Sequence, residues 1–184
     1  MELKQAIQNY NPIIDQEIKD KEMFLKYINT FDDVVTRDNE IVHFTSSAFI
    51  VNESKTKVLM IYHNIYNSWC WVGGHADGET NLLGVAIRET EEETGIANVK
   101  VLDNSIYAID TLPVLGHVKK GKYIPAHIHL SVVYLLEADE NDIVRIKADE
   151  NSNVKWIYID KVVEMSSEAH MKPLYAKIIE KLSK

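Results

Sequence analysis

Three acidic side chains, Glu89, Glu92 and Glu93, are spaced so that a helix would gather them on one face. At about 100° per residue they fall within about one third of the circumference, whereas Glu91 points to the opposite side. Like charges at this spacing destabilise a helix by roughly 0.2–0.5 kcal/mol per pair, so a bound cation is the simplest compensation. Because hard divalent cations such as Mg2+ prefer oxygen ligands, these residues predict a cation site.

The elements that must position the three carboxylates are readable from the surrounding residues. Residues Gly73–Gly78 predict a glycine-marked loop and a turn, followed by a helix that begins near Thr80 or Asn81 and ends before Gly95. An ordinary solvated acidic face is the alternative interpretation. The two glycines upstream and Arg88 directly before the first carboxylate argue against it.

The stretch from Gly74 to Ile96 resembles the Nudix box, G-x5-E-x7-R-E-U-x-E-E-x-G-U, in which U is a bulky apolar residue. The positions in register are Gly74, Arg88, Glu89, Glu92, Glu93, Gly95 and Ile96. The early Glu of the box is displaced by one residue, so that Thr80 stands at its position and Glu79 just before it. Thr90 replaces the apolar residue. A match of this length is far more specific than a lone glycine motif.

The resemblance implies an α/β protein with a Nudix-type α/β/α sandwich, a mixed β-sheet, and additional N-terminal and C-terminal helices. It also implies hydrolysis of a diphosphate linkage, in a nucleoside diphosphate linked to another moiety, by a metal-activated water. Mg2+ is the expected cofactor, with Mn2+ as the alternative. By the same resemblance Glu92 and Glu93 are primary metal ligands, Glu89 is a ligand or a base, and the Gly73 carbonyl contributes. Arg88 would orient a carboxylate through a charge-assisted hydrogen bond.

A later loop of the resembled family often supplies one more carboxylate, for which Asp149 and Glu150 are the candidates. Candidates for substrate binding lie around the glycines and on a later predicted strand: Trp71, His75, Asp77, His127 and His129. His127 and His129 alternate on that strand and therefore face the same side. With His43 on an adjacent strand they could also bind a metal, but a two-histidine signal is weak. We favour substrate contacts or buried structural histidines and predict no zinc site.

The remaining elements are assigned from hydrophobic periodicity. Residues 1–40 predict an N-terminal helical extension that begins a helix at Asn11-Pro12, and residues 41–184 predict the Nudix domain. In the extension, apolar residues at helical spacing predict a stripe that packs on the core or on a second subunit: Ile14, Ile18, Phe24 and Ile28. Strands are predicted at 43–51, 57–63, 98–110, 127–137 and 153–159, with a long loop at 111–126 and a closing helix that starts at or before Pro173.

Composition and charge narrow the class of ligand. The 184 residues are 46% hydrophobic and 26% charged, as in one globular domain with accessory helices. A net charge of −8 argues against binding to a nucleic-acid backbone. Without a leader or an apolar run that could span a bilayer, we expect a cytoplasmic protein with a small-molecule substrate and no membrane partner. The resemblance adds a homodimer as an assembly to consider.

Two rival functions fit the same box. A Nudix fold that senses a nucleotide without cleaving it is favoured by the displaced Glu79 and disfavoured by the intact Arg88-Glu89 pair. An isomerase of an isoprenoid diphosphate on the same fold is suggested by His43 before a strand and Cys70 near the glycines, and ranks third. Turnover of any diphosphate substrate would exclude the sensing module.

Overall fold

A mixed β-sheet with helices on both faces forms the frame of the protein, described for residues 3–119 and 121–183 in a computed structural model. The helices are α1 (Leu3–Asn9), α2 (Asp15–Thr30), α3 (Leu82–Thr94), α4 (Val162–Met165, after a 3-10 turn at Ile159–Lys161) and α5 (Lys172–Leu182). The strands are β1 (Val42–Val51), β2 (Lys57–His63), β3 (Ser68–Cys70), β4 (Val72–His75), β5 (Lys100–Val101), β6 (Ala108–Val114), β7 (His117–Lys119), β8 (Lys122–Ile124), β9 (His127–Glu137) and β10 (Asn151–Tyr158).

Strand β1 is central to the sheet and is buried along its whole length. It runs parallel to β9 from Val42 opposite Ile128 to Val51 opposite Glu137, and antiparallel to β2 and β4. Four further strands extend this sheet, since β10 and β3 pair with β2, and β5 and β6 pair with β9, whereas β7 and β8 form a separate two-stranded sheet. Parallel and antiparallel neighbours on one strand make the sheet mixed, so the predicted α/β fold is confirmed.

Alternate residues of β1 serve two separate cores because successive strand side chains point to opposite faces. On one face Phe44 and Ile50 pack in an apolar cluster with Val85 of α3. On the other face Phe49 packs in a second cluster with Tyr175 of α5. The chain thus has two layers of helix against one sheet.

The N-terminal helix was predicted to start at Asn11-Pro12, and this prediction is wrong. Helix α2 begins at Asp15, with Ile14 at the N-cap position and no side-chain cap. Ile14 and Ile18, assigned to the packing stripe, are exposed. Phe24 is fully buried and meets Phe44 edge-on at 5.5 Å between ring centroids.

Helix α2 therefore presents a different face to the core than the apolar stripe predicted. The cause is Glu17, which is completely buried although it is acidic. Glu17 and Phe24 are seven residues apart, which places them within about 20° on a helix. Because the face of α2 that carries Glu17 and Phe24 is turned to the core, Ile14 and Ile18 are exposed to solvent. Ile7 and Phe24 belong to the same apolar cluster as the sheet, so α1 and α2 pack on it directly. The domain boundary after residue 40 stays a prediction.

The region between residues 98 and 126 also differs from prediction. The strand expected at 98–110 is interrupted, since β5 covers two residues and β6 starts only at Ala108. The long loop expected at 111–126 instead continues β6 to Val114, paired with His127, and then forms the β7–β8 hairpin. Pro113 is tolerated because β6 is an edge strand. Lys120 lies outside the described residues.

The other predicted elements are confirmed to within two residues. The hairpin of β1 and β2, strand β9, strand β10 and a closing helix that starts at Lys172 all lie where the pattern placed them. Within residues 3–119 and 121–183, no helix combines the length and the apolar character needed to cross a membrane.

A buried ionic network joins α2, β6 and α5. Lys177 lies 2.5 Å from Asp110 and 3.4 Å from Glu17, and Lys181 lies 3.0 Å from Glu17. Lys181 also donates to the Tyr10 hydroxyl at 2.8 Å. Because each charge is buried with its partners, removing one of them leaves the others uncompensated.

We predict that Glu17→Gln lowers the free energy of unfolding by about 3 kcal/mol at neutral pH, the typical cost of breaking a buried ion pair. Burial alone would raise the pKa of Glu17, but hydrogen bonds from Tyr10, the Ile13 amide and Lys181 outweigh it and hold the pKa below its usual value. The stabilisation is therefore present above the ordinary pKa and is lost as pH falls through the lowered one. Urea unfolding at neutral and acid pH measures both effects.

The matched control is Glu22→Gln, because Glu22 is on the same helix but forms an exposed ion pair with Lys19. This variant should change the free energy of unfolding by less than about 1 kcal/mol. Equal losses in the two variants, or a loss at Glu17 that does not shrink in acid, would contradict the role given to the network.

Candidate functional site

Helix α3 begins and ends where local sequence signals placed it. The Asn81 side chain caps the first turn by accepting a hydrogen bond from the Gly84 amide at 3.2 Å. Gly95 ends the helix with φ of 79°, a left-handed conformation that favours glycine. The predicted bounds of the helix are thereby confirmed.

The two glycines before the helix lie in strand β4, not in a loop as predicted. A Cβ atom on Gly74 would lie 2.5 Å from the Glu89 carboxyl carbon. One on Gly73 would lie 2.7 Å from the Ser46 carbonyl oxygen. A side chain at Gly73 would therefore have to displace the β1 backbone, whereas one at Gly74 would have to displace the Glu89 carboxyl group.

The three predicted carboxylates project from α3 at different depths. Glu93 is almost fully buried, and one of its oxygens accepts a hydrogen bond from the Gly73 amide at 3.0 Å. The side chain of Glu89 is 12% exposed and that of Glu92 is 43% exposed. Glu91 is exposed away from the sheet, as the helical spacing predicts.

Arg88 contacts three carboxylates of this region. It donates to Glu89 at 3.0 Å, lies 3.5 Å from Glu92 and also contacts Glu79. The displaced early Glu of the box is therefore still drawn to the acidic cluster by the same guanidinium. The orienting role expected for Arg88 stays a prediction.

A second cation, Lys147, was missed by sequence reasoning. Its ammonium group lies 2.9 Å from Glu92 and 3.3 Å from Glu150. Glu150 thereby joins the cluster, whereas Asp149 is exposed. Lys147 is 55 residues from Glu92 in the chain, and nothing local marks it.

Burial and mutual repulsion perturb the carboxylates of the cluster. Burial raises the pKa of Glu93 to about 8, against the opposing hydrogen bond from Gly73, and the charges of Glu150 and Glu89 add to the rise. Burial also raises the pKa of Glu89. Five carboxylates thus face only two cationic side chains among the described residues. An oxygen-rich, charge-deficient set of this kind fits a hard divalent cation such as Mg2+.

Three of the five predicted substrate-binding residues come together elsewhere on the sheet. His75, His127 and His129 lie with His43 in one cluster, in which the centroids of contacting rings are 4.8 to 5.3 Å apart. The condition set by the sequence, that the strand of His43 be adjacent, is met because His43 pairs directly with His129.

The other two candidates have different surroundings. Trp71 is buried, meets Tyr175 edge-on at 5.1 Å and belongs to the core under α5. Asp77 accepts two hydrogen bonds of 2.7 Å from Arg37, a residue that no motif singled out. The placement of Trp71 favours a core role, whereas the Arg37–Asp77 pair is half-exposed and accessible. Substrate binding by either residue stays a prediction.

Comparison with known proteins agrees with the box. The family model described as NUDIX domain matches residues 41–182. An RNA pyrophosphohydrolase of Pelagibacter ubique is 30% identical over 116 residues, which cover 61% of this chain and 73% of that protein. Among solved structures, a C. elegans Ap4A hydrolase is similar with a TM-score of 0.55 and 21% identity, over 76% of this chain and 94% of that one. The E. coli dihydroneopterin triphosphate pyrophosphohydrolase gives a TM-score of 0.55 and 13% identity, over 74% and 94%.

The close approach of β4 to α3 generates a test by double substitution. We predict that Gly74→Ala lowers the free energy of unfolding by about 1–3 kcal/mol, the cost of forcing a methyl group into a packed site. Because the clash is with the Glu89 carboxyl group, adding Glu89→Ala should recover part of the loss, with a coupling energy above about 0.5 kcal/mol. Urea unfolding of the two single variants and the double variant gives this energy. Purely additive effects would refute the contact.

Proposed function

Since this chain belongs to the NUDIX family and is a pyrophosphohydrolase, we propose that it cleaves the diphosphate linkage of a nucleoside diphosphate joined to a second moiety. The observation that carries the proposal is the acidic cluster on α3. Its buried member, Glu93, accepts a hydrogen bond from Gly73, and its exposed members are held by Arg88 and Lys147. This is a site that needs a divalent cation and can receive an anionic substrate.

In the proposed site Glu89, Glu92 and Glu93 hold Mg2+ or Mn2+, with the Gly73 carbonyl and Glu150 as further ligands. A bound divalent cation supplies positive charge against the diphosphate and lowers the pKa of an attacking water. The protein contributes the fixed positions of the ligands, because α3 is capped at both ends and Glu93 is locked against β4.

Arg88 is proposed as a positioning residue and Glu89 as a ligand or base. The guanidinium holds Glu89 and Glu92 in a fixed relation, so neither carboxylate has to be ordered when the substrate arrives. As a base, Glu89 would accept the proton of the attacking water on a carboxylate oxygen. Its partly buried position favours this because burial raises the pKa of Glu89 above its ordinary value.

The substrate beyond the diphosphate is proposed to meet the surface around the Arg37–Asp77 pair. Arg37 comes from the segment between α2 and β1, and Asp77 follows β4 directly. The Arg37 side chain is 52% exposed, so its guanidinium group is accessible to a phosphate or a base of the substrate. Part of the substrate specificity is thereby assigned to Arg37, which lies outside the Nudix box.

A second candidate substrate is the triphosphorylated 5′ end of an RNA. It is favoured by the relative described as an RNA pyrophosphohydrolase, of which this chain covers 73%. The net charge of −8 opposes it, because extended contact with an RNA backbone requires a basic surface. Recognition of the terminal phosphates alone would avoid that conflict.

We predict chelator-sensitive release of phosphate-containing products from at least one member of a substrate panel, assayed with Mg2+ and with Mn2+. The panel consists of nucleoside triphosphates, nucleotide-sugars, ADP-ribose, dinucleoside polyphosphates and a 5′-triphosphorylated RNA oligonucleotide. Cleavage of the RNA alone would select the second candidate. If no member of the panel is cleaved although calorimetry shows Mg2+ binding, the proposal of hydrolysis would be replaced by that of a nucleotide-sensing module.

Substitution of the acidic face tests the ligand assignment. Loss of residues that merely orient ligands costs about 10- to 100-fold in activity, so we predict that Glu92→Gln and Glu93→Gln each lower kcat by more than about 100-fold. Glu91→Gln is the matched control, because it removes an exposed carboxylate from the same helix. Turnover at the wild-type rate in Glu92→Gln or Glu93→Gln would contradict the assignment of these residues as metal ligands.

A further inference from the structure

Four histidines from three strands converge on one side of the sheet. His43 lies on β1 beside His129 of β9, and His75 lies on β4, where its neighbour across the ladder is Thr45. His127 precedes His129 by two residues and so faces the same way. Ligand atoms of His43, His75 and His129 all lie within 4.8 Å of one another.

The orientation of two rings is fixed by backbone carbonyl groups. The Nδ1 atom of His43 is 2.9 Å from the Asn39 carbonyl oxygen, and Nδ1 of His127 is 2.9 Å from that of Pro125. A carbonyl can only accept, so each Nδ1 carries the hydrogen and each neutral ring presents a lone pair at Nε2. Metal-binding histidines are commonly oriented in this way, with the outer nitrogen donating to a carbonyl group.

The Nε2 atoms of His127 and His43 have different surroundings. Nε2 of His127 accepts a hydrogen bond of 3.1 Å from Nε2 of His129, so His129 must release that hydrogen or carry it on Nδ1 to bind a metal ion. His43 is 4% exposed, and its Nε2 atom is buried without a hydrogen-bond partner among the residues that the structure describes. A buried polar atom left unpaired costs free energy, so a ligand is expected where these atoms meet.

Two members of the cluster resist protonation. Burial lowers the pKa of both His43 and His129, and neighbouring histidines lower both further. The hydrogen bond to Asn39 and the charge of Asp77 act in the opposite direction on His43, but burial outweighs them. Neutral imidazole, the form that binds metal ions, is therefore favoured at His43 and His129.

We propose that His43, His75 and His129, with His127 as a fourth ligand, form a binding site for a nitrogen-preferring divalent transition-metal ion, Zn2+, distinct from the carboxylate site. Imidazole nitrogens suit Zn2+ and its neighbours, whereas Mg2+ prefers oxygen. With Zn–N distances of about 2.0–2.1 Å, tetrahedral ligand nitrogens lie roughly 3.3 Å apart. The 3.1 Å pair of His127 and His129 is near that spacing. The ligand atoms of His43, His75 and His129 lie within 4.8 Å of one another, so these rings must move closer together to hold one ion.

The two sites are separated by donor chemistry and by the alternation of β4. Gly74 faces Glu89 on the helix side, and His75, the next residue, points to the other face of the strand. Zn2+ at the histidines would tie together β1, β4 and β9. Only a weak two-histidine signal was readable from the sequence, because the cluster is completed by β4 and β1, which are distant from β9 in the chain.

The experiment is metal binding by the full-length, chelator-treated protein in millimolar Mg2+, which saturates oxygen sites. We expect one Zn2+ per chain by equilibrium dialysis, and an X-ray absorption spectrum at the zinc edge with at least three imidazole ligands. His129→Asn and His43→Asn should weaken Zn2+ binding by about 10- to 100-fold or more. His170→Asn, at an exposed histidine, is the matched control and should bind like the wild type.

Glu93→Gln separates this proposal from the carboxylate site, because it should leave Zn2+ binding unchanged whether or not the protein is a hydrolase. The absorption spectrum of the wild-type protein decides the matter if a histidine variant fails to fold. Absence of Zn2+ binding in Mg2+, a zinc shell made of oxygen ligands, or loss of Zn2+ in Glu93→Gln with retention in His129→Asn would each overturn the site.

Discussion

The parallel pairing of β1 with β9 is the constraint on which the rest of the molecule depends. It places one fully buried strand at the centre of the sheet, with β2 and β4 on its other side. One set of alternating β1 side chains then supports α3 and the other supports α5. Because β4 is held against β1 through glycines, the same pairing brings the β4 backbone within hydrogen-bonding distance of Glu93.

Strand β4 is where two kinds of chemistry meet. Gly73 and Gly74 serve a cluster of oxygen donors on α3, and His75 belongs to a cluster of nitrogen donors shared with β1 and β9. Hard cations and transition-metal ions are sorted by such differences in donor type more than by affinity alone. A four-residue strand is thus enough to keep the two donor sets apart while holding them on one rigid element.

The parts of the structure that could be predicted from the sequence are those set by local signals. The bounds of α3 follow from the Asn81 cap and Gly95, and its acidic face follows from helical spacing. Two of the features that the sequence analysis missed depend on distant residues. The rotation of α2 is set by Glu17 meeting Lys181, 164 residues away, and the acidic cluster recruits Lys147 across 55 residues. No periodicity within a window of the chain contains such information.

The burial of Glu17 has a consequence for the order in which the protein acquires its structure. During synthesis the N-terminal helix leaves the ribosome long before Lys177 and Lys181 of α5 exist to neutralise it. Until then, docking α2 would place a lone carboxylate in an apolar interior, so the carboxylate is better left in water. We therefore expect the first helices to dock on the sheet only after the last helix has formed.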